Sequence, residues 1–346
     1  MKTYGIKYIG SKNKLISLIL ELALNLRIKS AIDVFTGTTR VAQGLKQGNI
    51  ITLTSDLSWA STAYSHTFIA NPKSNGHLLP FVYTLNNLSP KEGWLTANYC
   101  GEKLQDEERS DGRLFQRKNT MKADAIRDRI EILDLEPWEK YTLITSLIFA
   151  LDKVDNTVGV QQAYLKEWCS RSYKNIVLEL PQTVFGQQGK HIEGNALTID
   201  YPNMDLAYLD PPYSAHSYAT YYHVWDSITR WDKPKTDLKV NRRIDRVAGS
   251  ESYDASFDSV FNKKIEALNS LIVLMSRLPV RYILLSYNDE SLILKEELLK
   301  ACQKIGKTTI SVVNFKRNIM CQIGNAMKLD TEIKTKNQEL LILIKK

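Results

Sequence analysis

The chain has 346 residues, 43% hydrophobic and 24% charged, an ordinary globular balance with length for a large core and one inserted subdomain. Its 46 Lys and Arg against 38 Asp and Glu give a formal charge of +8, which fits a polyanionic partner and equally a solvated basic surface. The cysteines, Cys100, Cys169, Cys302 and Cys321, form no C-x-x-C pair, which excludes a zinc ribbon or dithiol motif; no apolar run reaches the ~18 residues that span a membrane, and the N-terminus has no signal-peptide pattern. A soluble, cytoplasmic chain with reduced thiols is expected, with no metal site and no membrane partner.

Residues 14–26 are apolar and rich in helix formers, and predict a helix. Ala31 to Phe35 predicts a short buried strand, Thr36 to Thr39 a tight turn, Val41 to Gln47 a helix, and Ile50 to Thr54 a second strand closing on Ser55-Asp56. This is a βαβ unit with an acidic residue at the end of its second strand. From about 71 to 175 the pattern changes to a largely helical insertion, with helices over 122–135 and 137–153. Strands are predicted at Ile176–Leu180, His191–Glu193 and Leu206–Leu209, the last ended by Pro211 and Pro212, which cannot donate to a ladder. A charged loop over 232–255 leads to a helix from Phe257 to Leu278, a strand at Tyr282–Ser286, a helix at Leu292–Lys304, and strands at Thr308–Asn314 and Leu340–Ile344. The alternation predicts an α/β sheet covered on both faces.

Asp210-Pro211-Pro212-Tyr213 is the most specific signal: at average frequencies it occurs by chance in about one chain in a thousand of this length. It stands at the carboxyl end of a strand, where open α/β sheets bind ligands. An amino group on an aromatic base is a weak nucleophile, because its lone pair is delocalised into the ring. The Asp210 carboxylate can accept one amine hydrogen bond and a main-chain carbonyl fixed by the prolines another, so the nitrogen turns tetrahedral; Tyr213 can stack on a base that has left its duplex.

The turn from Asp33 to Arg40 holds one glycine, Gly37, and is no G-x-G-x-x-G fingerprint; Asp56 lies near the ~20-residue offset at which a carboxylate meets ribose hydroxyls. Gly10-Ser11-Lys12, before a helix, can hold an anion. Asn156 to Val160 lies beside Tyr164, Lys166 and Trp168, and serves a DNA-side contact or a plain helix connection equally well. Basic residues cluster at Arg113, Arg117, Lys118, Lys122, Arg127 and Arg129, and again from Lys233 to Arg246 with Arg242 and Arg243. Such groups give phosphate affinity rather than sequence choice.

YIGSK at 8–12, DVFTGTTRV at 33–41, SDL at 55–57, LDPPY at 209–213 and YYHVWDSITRWDKP at 221–234 together resemble the N6-adenine DNA methyltransferases of the Dam-like, alpha motif order, over nearly the whole chain. The resemblance implies a Rossmann-like S-adenosylmethionine-dependent methyltransferase sheet with an antiparallel strand near the C-terminus. It divides the chain into a cofactor-binding part (1–70), an inserted target-recognition region (71–175) and a catalytic part with the C-terminal strands (176–346). It implies transfer of a methyl group to a flipped adenine in double-stranded DNA, within a modification system whose nuclease is a separate chain. Asp210, Pro211, Pro212 and Tyr213 would be catalytic; Tyr8, Lys12, Asp33, Phe35, Thr36, Gly37, Thr38, Asp56, Leu57 and Asp210 would hold the cofactor, Lys12 near its methionine carboxylate. Arg113, Arg117, Lys118, Lys122, His216, Tyr218, Arg242 and Arg243 would meet DNA, with Gln116, Asn119, Arg127 and Arg129 as candidate base readers. Departures are Thr39 and Asn195, where relatives often carry Gly and Asp, and the 214–218 segment. The rival expectations are a same-fold enzyme acting on cytosine N4 or RNA, and a non-catalytic DNA-binding subunit.

Overall fold

The computed structural model describes residues 1–100, 114–212, 217–237, 239–288, 291–316 and 336–346. In chain order the elements are α1 (Ile16–Asn25), β1 (Ser30–Val34), α2 (Arg40–Gln47), β2 (Ile51–Asp56), α3 (Trp59–Phe68), α4 (Leu79–Asn86), α5 (Trp94–Tyr99), α6 (Arg117–Glu131), α7 (Pro137–Asp152), β3 (Lys190–Glu193), β4 (Met204–Leu209), α8 (Tyr218–Tyr221), α9 (His223–Arg230), β5 (Thr236–Asp237), β6 (Arg242–Arg243), α10 (Lys264–Arg277), β7 (Val280–Asn288), α11 (Lys295–Ile305), β8 (Lys307–Lys316) and β9 (Lys336–Lys345).

Seven of these strands form one sheet in the order β3-β2-β1-β4-β7-β9-β8. The five from β3 to β7 run parallel, and β9 lies antiparallel to both its neighbours, as expected for a Rossmann-like methyltransferase sheet. The central strands are covered on both faces, which is why AIDV and LAYL read as nearly unbroken apolar runs. On one face α1 and α2 bury Ile19, Ala23, Val41 and Leu45 against Ala31, Leu206 and Tyr208. On the other, α10 and α11 bury Leu271, Leu274, Leu298 and Cys302 against Ile32, Ala207 and Ile283. Each such large apolar side chain contributes about 1.5–3 kcal/mol.

A third core unites Phe68 of α3, Leu85 of α4, Leu95 of α5, Ile126 of α6, Ile148 of α7 and Trp225 of α9. The inserted helices therefore share one apolar interior with α3 and α9. α7 starts sharply, because Pro137 sits in its first turn and Glu136 and Glu139 form a reciprocal capping box.

Two expectations fail for identifiable reasons. Residues 176–180 form no ladder: Asn119 accepts from the Ile176 amide at 3.0 Å and Asn86 from the Leu178 amide at 2.9 Å, so side-chain amides replace a neighbouring strand. The helix predicted over 257–278 is shorter at its start. Asp254 and Ser259 accept the amides of Ser256 and Phe261, closing two 3-10 turns, Ala255–Phe257 and Val260–Asn262, before α10 begins.

Candidate active site

The register decides what meets at the sheet's edge. Val34 lies beside Ser55 on one side and Leu209 on the other, so the next residues, Phe35, Asp56 and Asp210, leave β1, β2 and β4 side by side. The sheet order reverses between β1 and β4, the point where such sheets open a ligand crevice. A cavity opens there, lined by these three residues with Leu57, Pro211, Pro212 and Tyr8.

The turn after β1 is held in an uncommon backbone. Phe35, Gly37 and Thr39 have φ of 63°, 50° and 60°. Left-handed backbone costs a non-glycine residue about 1–2 kcal/mol. Thr39, one of the departures noted in the sequence, adopts it without glycine's freedom. At Gly37 a side chain would also meet the Tyr8 ring hydroxyl, with Cβ 3.2 Å away. Asp33 braces the turn from behind, accepting from the Thr36 hydroxyl at 2.8 Å and the Ala42 amide at 3.0 Å. Burial pushes the Asp33 carboxyl up to about 7. Asp33, Thr36 and Thr38 are buried and are not among the residues that line the cavity. Gly37 donates its amide to Asp56 at 2.8 Å, and Ser58 donates to the other Asp56 oxygen at 2.9 Å. Burial raises the Asp56 pKa, while these two amides pull it down.

Asp210 stands opposite, 19% exposed, with one oxygen 2.9 Å from the Lys12 ammonium. Lys12 is itself 3.1 Å from Glu339 of β9. Burial pushes the Asp210 carboxyl up to about 6; Lys12 lowers it and Glu339 raises it. The Lys12 ammonium lies between these two carboxylates, with the Gly10 carbonyl at 3.3 Å, and Lys12 is not among the residues that line the cavity. Tyr8 stacks on Tyr222 at 4.4 Å and lies 5.5 Å from Tyr218, forming an aromatic wall next to Asp210. Tyr213 and His216 lie outside the described residues, as does Arg113.

Sequence reasoning missed several of the residues around the cavity. Asp226 of α9 accepts from the Ser58 hydroxyl at 2.7 Å and the Ala60 amide at 3.0 Å, and so caps α3 beside Asp56. Phe261 meets Phe35 edge-on at 5.0 Å, and Phe257 meets Trp59 at 5.3 Å. Asp226 lay inside the YYHVWDSI block and was legible there as a motif member; Phe257 and Phe261 were hidden by the single helix predicted across them. Asn195 lines the cavity and accepts the Leu197 amide at 3.0 Å.

The basic candidates divide sharply. Arg243 is 1% exposed and bound to Asp232 at 2.8 Å and Asp245 at 2.7 Å, so it is an internal ion pair and not a phosphate ligand. Lys122 donates to the carbonyls of Asn86, at 2.8 Å, and Leu88, tying down the chain after α4. Arg127 is buried and donates to the carbonyls of Ile228 and Thr229 at 2.7 and 3.1 Å; Gln116 and Asn119 are buried too. For Lys122 and Arg127 the cause is the same: carbonyls at the ends of α4 and α9 lie within reach and take their donors. Arg117 pairs with Glu92, Lys118 donates to the Tyr173 carbonyl, and Arg242 donates to the Arg246 carbonyl at 3.3 Å. Arg129 is exposed on α6.

A Rossmann-like sheet whose strand ends carry Asp56 and an Asp-Pro-Pro turn around one cavity is the arrangement of the methyltransferase class. Residues 8–301 match the model of the D12 class N6 adenine-specific DNA methyltransferases, and the chain belongs to that family. Its methyl donor is S-adenosylmethionine. The type II methyltransferase M.NlaIII of Neisseria lactamica is 28% identical over 90% of this chain and 91% of its own length. M.CviAII of Paramecium bursaria Chlorella virus 1 is 27% identical, over 90% and 92%. Modification methylase LlaI of Lactococcus lactis subsp. lactis is 26% identical over 98% of this chain, which spans only 55% of that longer protein. A structure of magnesium protoporphyrin IX methyltransferase from Synechocystis PCC 6803 with bound SAM covers 96% of this chain and 79% of its own at 10% identity, with a TM-score of 0.34. Among the described residues no helix is long and apolar enough to cross a membrane.

Proposed function

We propose that this chain methylates the N6 amine of an adenine extruded from double-stranded DNA, within a short recognition sequence, as the modification partner of a separately encoded restriction endonuclease in the cytoplasm. The observation that carries the reading is Asp210 at the end of β4, with a carboxylate turned into a cavity that also holds Asp56 and the aromatic wall.

The residues present suit the cofactor. Asp56 offers a carboxylate for paired ribose hydroxyls, and Phe35 with Phe261 offers apolar edges for a purine. When bound, S-adenosylmethionine supplies a methyl group on a sulfonium, an electrophile that needs no metal. Asp210 accepts one N6–H hydrogen bond, and a main-chain carbonyl of the Pro211-Pro212 segment accepts the other. These two acceptors would aim the nitrogen lone pair at that methyl group, and the amine would release its surplus proton after transfer. Tyr8, Tyr218 and Tyr222 give the extruded base an aromatic surface to replace the stack it has left. Sequence choice resides in the insertion, where exposed Arg129 remains free of the internal roles that occupy Arg127 and Lys122.

Single-molecule sequencing of DNA from cells making the chain tests the reading. N6-methyladenine at one repeated motif, absent when Asp210→Ala is made instead, supports it; methylated cytosine, or no modification at all, refutes it.

A further inference from the structure

Glu339 has no role in the family match, which ends at residue 301, yet its side chain reaches the reacting edge. It sits on β9 opposite Asn288 of β7 and Val313 of β8, is 6% exposed, and is followed by Leu340, Leu341 and Ile342, all buried. A carboxylate in such a strand costs several kcal/mol of desolvation unless paired. Its Oε1 accepts from the Ser286 hydroxyl at 2.7 Å and lies 3.1 Å from the Lys12 ammonium. Lys12, 7% exposed, lies 2.9 Å from Asp210 Oδ1, and that oxygen is shut off from solvent.

We propose that Glu339 is a positioning residue for methyl transfer: it anchors the Lys12 ammonium against Asp210 Oδ1, so that Asp210 Oδ2 is the oxygen presented to the adenine amine. The inference rests on the methyltransferase reading above. Without Glu339 the lysine is a flexible four-carbon stem with one carboxylate to follow, and Asp210 can turn either oxygen to the cavity. With it, the ammonium is held by two carboxylates and the Gly10 carbonyl, and the Asp210 rotamer follows. The charges facing Asp210 are Lys12 from the N-terminal segment, Glu339 from β9 and Asp33 from β1, with the neutral phenols of Tyr8 and Tyr208. The negative charge of Glu339 opposes ionisation of Asp210, while Lys12 favours it. Removing that charge while keeping the hydrogen bonds therefore makes Asp210 easier to ionise.

The test compares Glu339→Gln and Glu339→Ala in the full chain, with tritium-labelled S-adenosylmethionine and DNA of mixed sequence. Glu339→Ala is expected to lower kcat by about tenfold to a hundredfold, the effect of a misplaced catalytic group, with the cofactor Kd held within about threefold. Glu339→Gln, which still accepts from Lys12 and Ser286, is expected to recover part of kcat and to move the acid limb of its pH profile to lower pH. Parental kcat in Glu339→Ala overturns the inference, as does a cofactor affinity that falls in step with kcat. If Glu339→Ala does not fold, an acid limb in Glu339→Gln that stays at the parental pH overturns it. No methyl transfer by the unmodified chain, with cofactor bound, sinks the underlying reading, and the inference with it.

Discussion

At the strand ends, Asp210 and Asp56 keep carboxylate oxygen turned toward a cavity; in the insertion, Arg127 and Lys122 spend their donors on carbonyls of the fold. Both regions carry charge at positions sequence reasoning singled out, and only the first keeps it for a ligand. The difference lies in the backbone. Where parallel strands stop, the chain turns away, and although Asp56 accepts the Gly37 and Ser58 amides and Asp210 meets Lys12, both carboxylates still line the cavity. Among packed helices, every C-terminal turn offers orphan carbonyls, and a long cation satisfies them first.

The sharpest way to break this comparison is Asp210→Ala. Methyl transfer should fall by roughly 10²–10⁴-fold, the contribution of a positioned hydrogen-bond or proton acceptor, with S-adenosylmethionine Kd changed less than about threefold. In the parent, activity should also fall as pH drops through about 6, where the raised Asp210 carboxyl takes up a proton and loses its acceptor. Near-normal turnover in the variant, or a flat profile through that window, removes Asp210 from catalysis.

Next is Asp56→Ala, which should weaken cofactor binding by about 1.5–3 kcal/mol, the value of a hydrogen bond to a charged group. Calorimetric titration reads it directly, and an unchanged Kd would place the cofactor elsewhere. Arg243→Ala probes the other side of the comparison. It should cost about 2 kcal/mol of folding stability, below the ~3–5 of a fully buried pair, because Asp232 and Asp245 are partly solvated and can rehydrate. The salt dependence of DNA binding should keep its slope; a slope reduced by about one would return Arg243 to the phosphate contacts. The smallest effects belong to the insertion's surface. Arg129→Ala should relax preference at one base pair by about 1 kcal/mol, while Lys118→Ala should weaken binding to every sequence alike or not at all. Methylation of a randomised DNA pool separates the two, and unaltered preference in Arg129→Ala would move recognition to the 233–250 loop.

Much of the sheet was legible because its strands are short apolar runs with sharp ends: Ala31 to Phe35 and Leu206 to Leu209 could hardly be anything else, and Pro211 marks one of those ends by chemistry alone. Asp56 was legible from its offset to the turn after β1, and Asp210 from the two prolines that follow it. α3 was not. WASTAYSHTF mixes Ser and Thr with apolar residues all the way round, and it folds as a helix because its hydroxyls find partners: Thr67 meets Thr145 at 2.9 Å, Ser65 meets Thr54 at 3.0 Å and Thr62 donates to Glu193 at 2.9 Å. Nor was the fate of the arginines, since composition says nothing about which carbonyl a guanidinium will meet. Glu339 was invisible for a third reason: it is some 130 residues from Asp210 in the chain, and only the insertion of β9 between β7 and β8 brings the two together.

That strand order has a consequence for how the protein comes into being. Ribosomes deliver the chain from its N-terminus, so β9 is the last of the seven strands to emerge, yet its place is inside the sheet and not at the rim. A nascent chain that has already assembled β1 to β4 holds the glycine turn, Asp56 and the Asp-Pro-Pro segment, and still lacks the carboxylate that fixes Lys12. On the proposed role of Glu339, the docking of β9 completes the surroundings of Asp210 only late in synthesis. The same timing leaves the flank of β7 unpaired until the end of synthesis, so an interrupted chain faces clumping with other chains through that open flank.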